Sequence, residues 1–178
     1  MSRIPLVTPA AATGDTQALL GQIHSAFGAT PNMFRAVANS PAALKSMWGS
    51  FGALGGGVIP AALGEKIAVA IANRNACEYC LAAHTALGRK AGASSQEMSA
   101  AQAGQSDDPK TAAALQFALR VVEGRGQIED GDVTQLRGVG FSDEEIVEIL
   151  AHVALNLFTN YVNVAFAVPV DFPGVKLR

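Results

Sequence analysis

The residues with the most chemical capacity fall within one stretch, Glu65 to His84, EKIAVAIANRNACEYCLAAH. It holds both cysteines of the chain, one of its three histidines and a carboxylate. With residues 77 to 90 helical, Cys77, Cys80 and His84 project from nearly one side of the helix. A thiol becomes a good nucleophile only when ionised, and a neighbouring imidazole or the partial positive charge of a helix N-terminus favours the thiolate. His84 lies one turn beyond Cys80, close enough for its imidazole to reach that sulfur, while Cys77 is nearer the helix start and its amide ends. Two thiols at this spacing can also close a disulfide, one attacking an oxidant and the other resolving the sulfenic acid.

These groups meet only if the chain bends. On one straight helix Glu65 is about 120° out of phase with Cys77. The polar tripeptide Asn73, Arg74, Asn75 is the expected break, with Asn75 as N-cap of the thiol-bearing helix. Glu65 can then orient His84 or hold protons for it. Elsewhere helix starts recur and hairpin signals do not. Thr30-Pro31, Ser40-Pro41 and Asp108-Pro109 each pair a capping residue with a proline suited to the first turn. Ser94 with Glu97 and Ser142 with Glu145 fit capping boxes. The pattern predicts helices near 15–27, 31–38, 41–54, 60–74, 77–91, 95–103, 109–124, 130–137 and 142–166, and hence an all-α fold. The glycine punctuators between them are too short to be linkers. Gly55-Gly56-Gly57 reads as a loop between packed helices, or as a mobile edge of a substrate entrance; no Gly-Lys-Ser/Thr follows it, which excludes a P-loop.

The spacing of glutamate, eleven residues, cysteine, two residues, cysteine, three residues and histidine, with Tyr79 inside CEYC, resembles the core motif of the AhpD-like alkylhydroperoxidase branch of the carboxymuconolactone decarboxylase family. The resemblance implies one compact helical domain over 1–178, with the core motif at 60–92, an N-terminal helical hairpin at 15–54 and a long C-terminal helix at 142–166. It implies Cys80 as the peroxide-attacking cysteine, Cys77 as its resolving partner, and Glu65 and His84 as a proton relay. Tyr79 stands where some members carry a further histidine. The implied activity is reduction of an organic hydroperoxide or hydrogen peroxide through a Cys77–Cys80 disulfide. An external dithiol or disulfide-reductase system would restore the thiols, with neither cofactor nor metal. The implied assembly is a homo-oligomer, a trimer or hexamer.

Residues 142–166 begin acidic and turn almost wholly apolar, as in a helix buried nearly all round. Asn156, Asn160 and Asn163 form a polar stripe along it. Such a stripe satisfies hydrogen bonds in a core or subunit seam; the functional reading has Asn160 and Asn163 bordering a pocket beside the cysteines. The acidic start weakly echoes Glu65 before IAVAIA, as in a degenerate repeat without thiols. His152 and His24 read as packed histidines rather than catalysts. Leu44, Met47, Trp48 and Phe51 share one side of 41–54 and read as core, with a pocket wall as the functional version.

Composition narrows the partners. Hydrophobic residues make up 49% and charged residues only 16%, against the usual quarter or so, so some apolar surface should be buried between identical subunits. A net charge of −2 without a basic cluster argues against nucleic acid and anionic membranes. The N-terminus does not read as a signal peptide, and no apolar run approaches membrane-spanning length. The expected location is cytoplasmic, where paired cysteines are catalytic or metal-binding more often than structural. Three other readings compete: a zinc site built from Cys77, Cys80, His84 and Glu65; a non-redox lactone decarboxylase, which needs acid and base groups but no thiol pair; and an interaction module with idle cysteines.

Overall fold

A computed structural model describes residues 2–178, and among these the all-α expectation is met, with no strand. A short 3-10 turn, Pro9–Ala11, precedes nine α-helices. They are α1 Gly14–Phe27, α2 Asn32–Val37, α3 Pro41–Gly55, α4 Ala61–Arg74, α5 Glu78–Lys90, α6 Ser95–Gln102, α7 Pro109–Glu123, α8 Asp130–Gly138 and α9 Asp143–Ala165. Most begin where the sequence signals them. Ser40 and Asp108 accept from Ala43 N–H and Thr111 N–H, and Ser94/Glu97 and Ser142/Glu145 close capping boxes. A cap of this kind is worth about 1 kcal/mol.

Thr30 does not cap α2. The cap position is Pro31, and the Asn32 amide donates at 2.8 Å to Asp171 in the C-terminal tail. Thr30 instead lies 3.3 Å from His24 Nδ1.

Helix α4 is the central element and packs on α5, α6, α7 and α9. Its run Ile67–Ala72 is buried throughout. The run alternates branched side chains with alanines, and the alanines let neighbouring helices approach on several sides while Ile67, Val69 and Ile71 fill the gaps. The tail crosses this core from outside. Phe172 meets Tyr79 edge-on at 5.7 Å, and the Arg178 backbone amide donates to Asn73 Oδ1 at 3.0 Å.

The break between α4 and α5 differs from the expected one. Asn75 does not cap α5; it ends α4. Ala76 then turns left-handed at φ 52°. Ala76 N–H bonds back to Asn73 O at 3.2 Å and Cys77 N–H to Ala72 O at 2.9 Å, the pair of bonds that defines a Schellman ending. Cys77 is therefore the residue that closes α4 and also the N-cap of α5, its Sγ accepting from Cys80 N–H at 3.2 Å. A polar side chain before a helix is an obvious cap in sequence, whereas a thiol is a weak acceptor and gives no such signal.

Helix α9 docks on the turn before α4 through Glu148. Glu148 accepts from Val58 N–H at 2.9 Å and Ile59 N–H at 2.8 Å. A Cβ on Gly57 would fall on that carboxylate, so the glycine leaves the space it occupies. One turn on, His152 packs over Gly64, whose Cβ, if present, would lie 3.3 Å from the ring. The amides of Ile59 and Val58 hold the Glu148 carboxyl below its ordinary 4.5. Burial pushes His152 below its ordinary 6.5, opposed by the negative charges of Glu148 and Glu65. Among the described residues no helix is long and apolar enough to cross a membrane.

Two outcomes follow. Replacing Ala76 by glycine relieves the left-handed backbone and should raise unfolding stability by about 0.5–1 kcal/mol in urea titrations. A depressed histidine contributes its stability above the unfolded value of 6.5 and loses it as pH falls below, because the unfolded chain takes the proton first. The urea midpoint should therefore fall between about pH 7.5 and about pH 5.5, and His152→Gln should flatten that fall.

Candidate active site

The α4–α5 joint brings Glu65 across from His84. Glu65 Oε2 and His84 Nδ1 are 2.7 Å apart, both side chains mostly buried. The bond fixes His84 so that Nε2 is the ring nitrogen left for chemistry. It also meets the expectation that a bend is what joins the carboxylate to the motif.

Cys77 and Cys80 form a disulfide with Cα atoms 5.4 Å apart, and both residues are buried. Two donors point at the sulfurs. Cys80 N–H reaches Cys77 Sγ, and Asn163 Nδ2 reaches Cys80 Sγ at 3.2 Å. In the reduced state the same donors would favour thiolates over thiols.

Three spaces surround this group. A cavity of about 160 Å³ is bordered by Glu65, His84, His152, Asn156, Thr159 and Phe51. A narrow apolar pocket of about 30 Å³ is bordered by Cys80, His84, Tyr79, Phe34 and Phe172, among others. The two share Phe51, His84 and Thr159, so His84 stands between them. On Cys77 lies an open groove of about 370 Å³, formed by 76–79 at the start of α5 and 163–170 at the end of α9.

The remaining expected site residues separate. Asn163 borders both the narrow pocket and the groove. Asn160, fully buried, accepts from Asn75 Nδ2 at 3.0 Å, so it braces the α4–α5 joint. Tyr79 borders the pocket, but its hydroxyl accepts from Met33 N–H at 3.2 Å. Burial, reinforced by Asp171, pushes its phenol far above the usual range, so Tyr79 keeps its proton at neutral pH. Of the aromatic side of α3, Phe51 borders both inner spaces, and Leu44 and Met47 are core.

His152 is packed as expected, but it also borders a cavity. It faces the larger cavity with Nε2 buried and without a hydrogen-bond partner, as is Asn156 Oδ1. The available signal was Glu148 four positions before it, the spacing of a helical pair. In the disulfide state the two sulfurs are not available as the thiolate ligands of the zinc alternative, and Glu65 is paired with His84. Among the described residues no group of three or more histidine, cysteine or acidic side chains is arranged to hold a metal.

Residues 41–124 match the model of the carboxymuconolactone decarboxylase family. No curated protein shows a significant sequence match. A peroxidase-related protein of Ralstonia eutropha JMP134, described as an alkylhydroperoxidase AhpD core, is 26% identical. That match covers 96% of this chain and 92% of that one at a TM-score of 0.85. A peroxidase-related protein of Silicibacter sp. TM1040 is 26% identical over 94% and 91%, at 0.82. The debrominase Bmp8, in complex with 2,3,4-tribromopyrrole, shares the fold at 22% identity over 96% and 94%, at 0.79. The segment 41–124 thus resembles the carboxymuconolactone decarboxylase family, and it is set in an AhpD-like helical fold.

Proposed function

We propose that the protein is a cysteine-based alkyl hydroperoxidase and thiol-disulfide oxidoreductase. The observation that carries this reading is that Cys80 and His84 border one narrow pocket while His84 is held from behind by Glu65. With the disulfide reduced, the Glu65-backed imidazole takes the proton of Cys80. The thiolate attacks the terminal oxygen of the hydroperoxide, the O–O bond breaks, and the departing alkoxide takes the proton from His84. Cys80 is then a sulfenic acid. Cys77 attacks it, water leaves, and the disulfide forms. An external dithiol supplies the two electrons that restore the thiols. The cycle suits the cytoplasm, which returns disulfides to thiols.

The two inner spaces suit the two ends of an organic hydroperoxide. A pocket of about 30 Å³ accepts the slim peroxide end, since one water needs about 10–15 Å³ of such space. The organic remainder extends past His84 and Thr159 into the larger cavity. The aromatic wall of the narrow pocket, which includes Phe27, Phe34, Phe51 and Phe172, also favours a second reading, reductive dehalogenation of a small aromatic. The same thiol pair would supply two electrons and become the disulfide, a thiol proton would replace the halogen on carbon, and the halogen would leave as halide with the second proton.

Assembly with identical subunits is supported by α9. Val147, Leu150, Ala154, Phe158, Tyr161 and Ala165 are all exposed and recur at spacings of three and four. That is an apolar seam suited to another helix. We propose that it pairs with another copy of the chain, in a trimer or hexamer.

Free thiols should number two per reduced chain and fall to none after one equivalent of tert-butyl hydroperoxide. Cys80→Ser should consume no peroxide while keeping its helical circular dichroism; turnover in that variant would sink the mechanism. Glu65→Gln should slow disulfide formation about 10²-fold. Titration with a bromopyrrole instead of peroxide decides the second reading. Phe158→Glu should shift the sedimentation coefficient to that of a monomer if α9 is the seam.

A further inference from the structure

The disulfide is bordered by two different spaces, and each sulfur faces only one. Cys80 borders the inner pocket and not the groove; Cys77 borders the groove and not the pocket. Displacement at a disulfide sulfur runs along the S–S axis from the far side, so the space beyond each sulfur decides what can attack it. Beyond Cys80 there is about 30 Å³, beyond Cys77 about 370 Å³. The first holds about two waters' worth of space, enough for two peroxide oxygens, whereas the second is an open groove with room for a bulkier dithiol.

A second observation concerns Asn163. Its Nδ2 is bonded to Cys80 Sγ, but its Oδ1 is buried without a partner in a side chain that borders the groove. A buried acceptor left unpaired is costly, and an incoming S–H or peptide N–H would satisfy it.

We propose that the groove between the start of α5 and the end of α9 is the entry site for the external dithiol, which attacks Cys77 while peroxide reaches Cys80 from the inner pocket. This rests on the peroxidase cycle proposed above. In the first step a reductant thiolate forms a bond to Cys77 Sγ and the Cys77–Cys80 bond breaks. Its electron pair stays on Cys80 as thiolate, held by Asn163 Nδ2–H. In the second step the reductant's other thiol attacks its own sulfur in the mixed disulfide. Cys77 is released and takes the proton given up by that thiol. The dithiol is oxidised and the cysteine pair reduced, by two electrons each. Oxidised substrate and reductant thus never compete for one opening, and the thiolate formed by reduction is the one already facing the peroxide pocket.

The two half-reactions separate the possibilities. Val170, exposed on a non-helical stretch at the groove rim, can be widened to tryptophan without disturbing a helix. Val170→Trp should slow reduction of the disulfide by dithiothreitol about tenfold or more and leave its formation by tert-butyl hydroperoxide within about twofold. Leu87→Phe, which fills the inner pocket, should do the reverse. Brief reaction with glutathione, followed by alkylation and peptide mass mapping, should place the adduct on Cys77. An adduct on Cys80, or reduction of Val170→Trp at the wild-type rate, overturns the proposal. Failure of wild-type protein to form the disulfide with hydroperoxide sinks the peroxidase reading instead, and the reduction rates still judge the groove.

Discussion

The structure depends on how α4 gives way to α5. A helix ending in a left-handed residue normally uses glycine there, and this chain uses Ala76 at a backbone cost of about 1–2 kcal/mol. The cost is met by two backbone bonds that close α4 and by the thiol cap that opens α5. No residue is spare between the two helices. Cys77 is fixed by the end of one and the start of the next, and the disulfide partner follows within the first turn. The same tight joint turns α5 back along α4, so that Glu65 faces His84 and Gly88 instead of lying out of phase with the thiols. A looser connection would leave the carboxylate and the sulfurs on separate surfaces.

Helix α9 supplies the other half. Its buried side carries His152, Asn156, Asn160 and Asn163 through an otherwise apolar core, and each retains one buried polar atom with no partner. Unpaired buried polar atoms are rare in folded proteins because each forfeits hydration. Here three of the four side chains border spaces next to the sulfurs or the carboxylate. Asn160 is the exception, and its paired oxygen braces the α4–α5 joint. The free valences along α9 are thus concentrated where a ligand can meet them. The opposite side of α9 is an exposed apolar stripe, so one helix borders the inner spaces on one side and presents apolar surface on the other.

Much of this was legible in the residues. Proline-led starts and capping boxes are local devices whose partners lie within four positions, and those at Ser40, Ser94, Asp108 and Ser142 fell where the sequence put them. The Glu65–His84 pairing was legible because the motif's spacing demanded a bend. The failures share a different cause. Asn75 was the better cap by side-chain chemistry, yet the Schellman bonds placed the helix start two residues on, at a thiol. Thr30 lost its helix start to Asp171, more than a hundred residues away. The placing of Glu148 and His152 escaped a single-sequence view, which cannot see that Gly57 and Gly64 leave room for the carboxylate and ring that meet them. Partners distant in sequence decided each case.

Opposing effects meet at the two sulfurs. Burial raises a thiol's pKa by penalising the anion, and both cysteines are almost fully enclosed. Opposing this are the α5 amide on Cys77, the Asn163 amide on Cys80, and the amide ends of α5 behind both. Hydrogen bonds to a charged acceptor are worth about 1.5–3 kcal/mol, of the order of one to two pKa units. In the reduced protein those donors would oppose the desolvation without a cation, and the proposed cycle leaves His84 to move the proton. No lysine or arginine borders the narrow pocket. A fixed positive charge would hold a thiolate permanently. In the proposed cycle, a neutral amide and a carboxylate-backed imidazole would let the sulfur lose its proton when substrate arrives and accept the electron pair back when the disulfide opens.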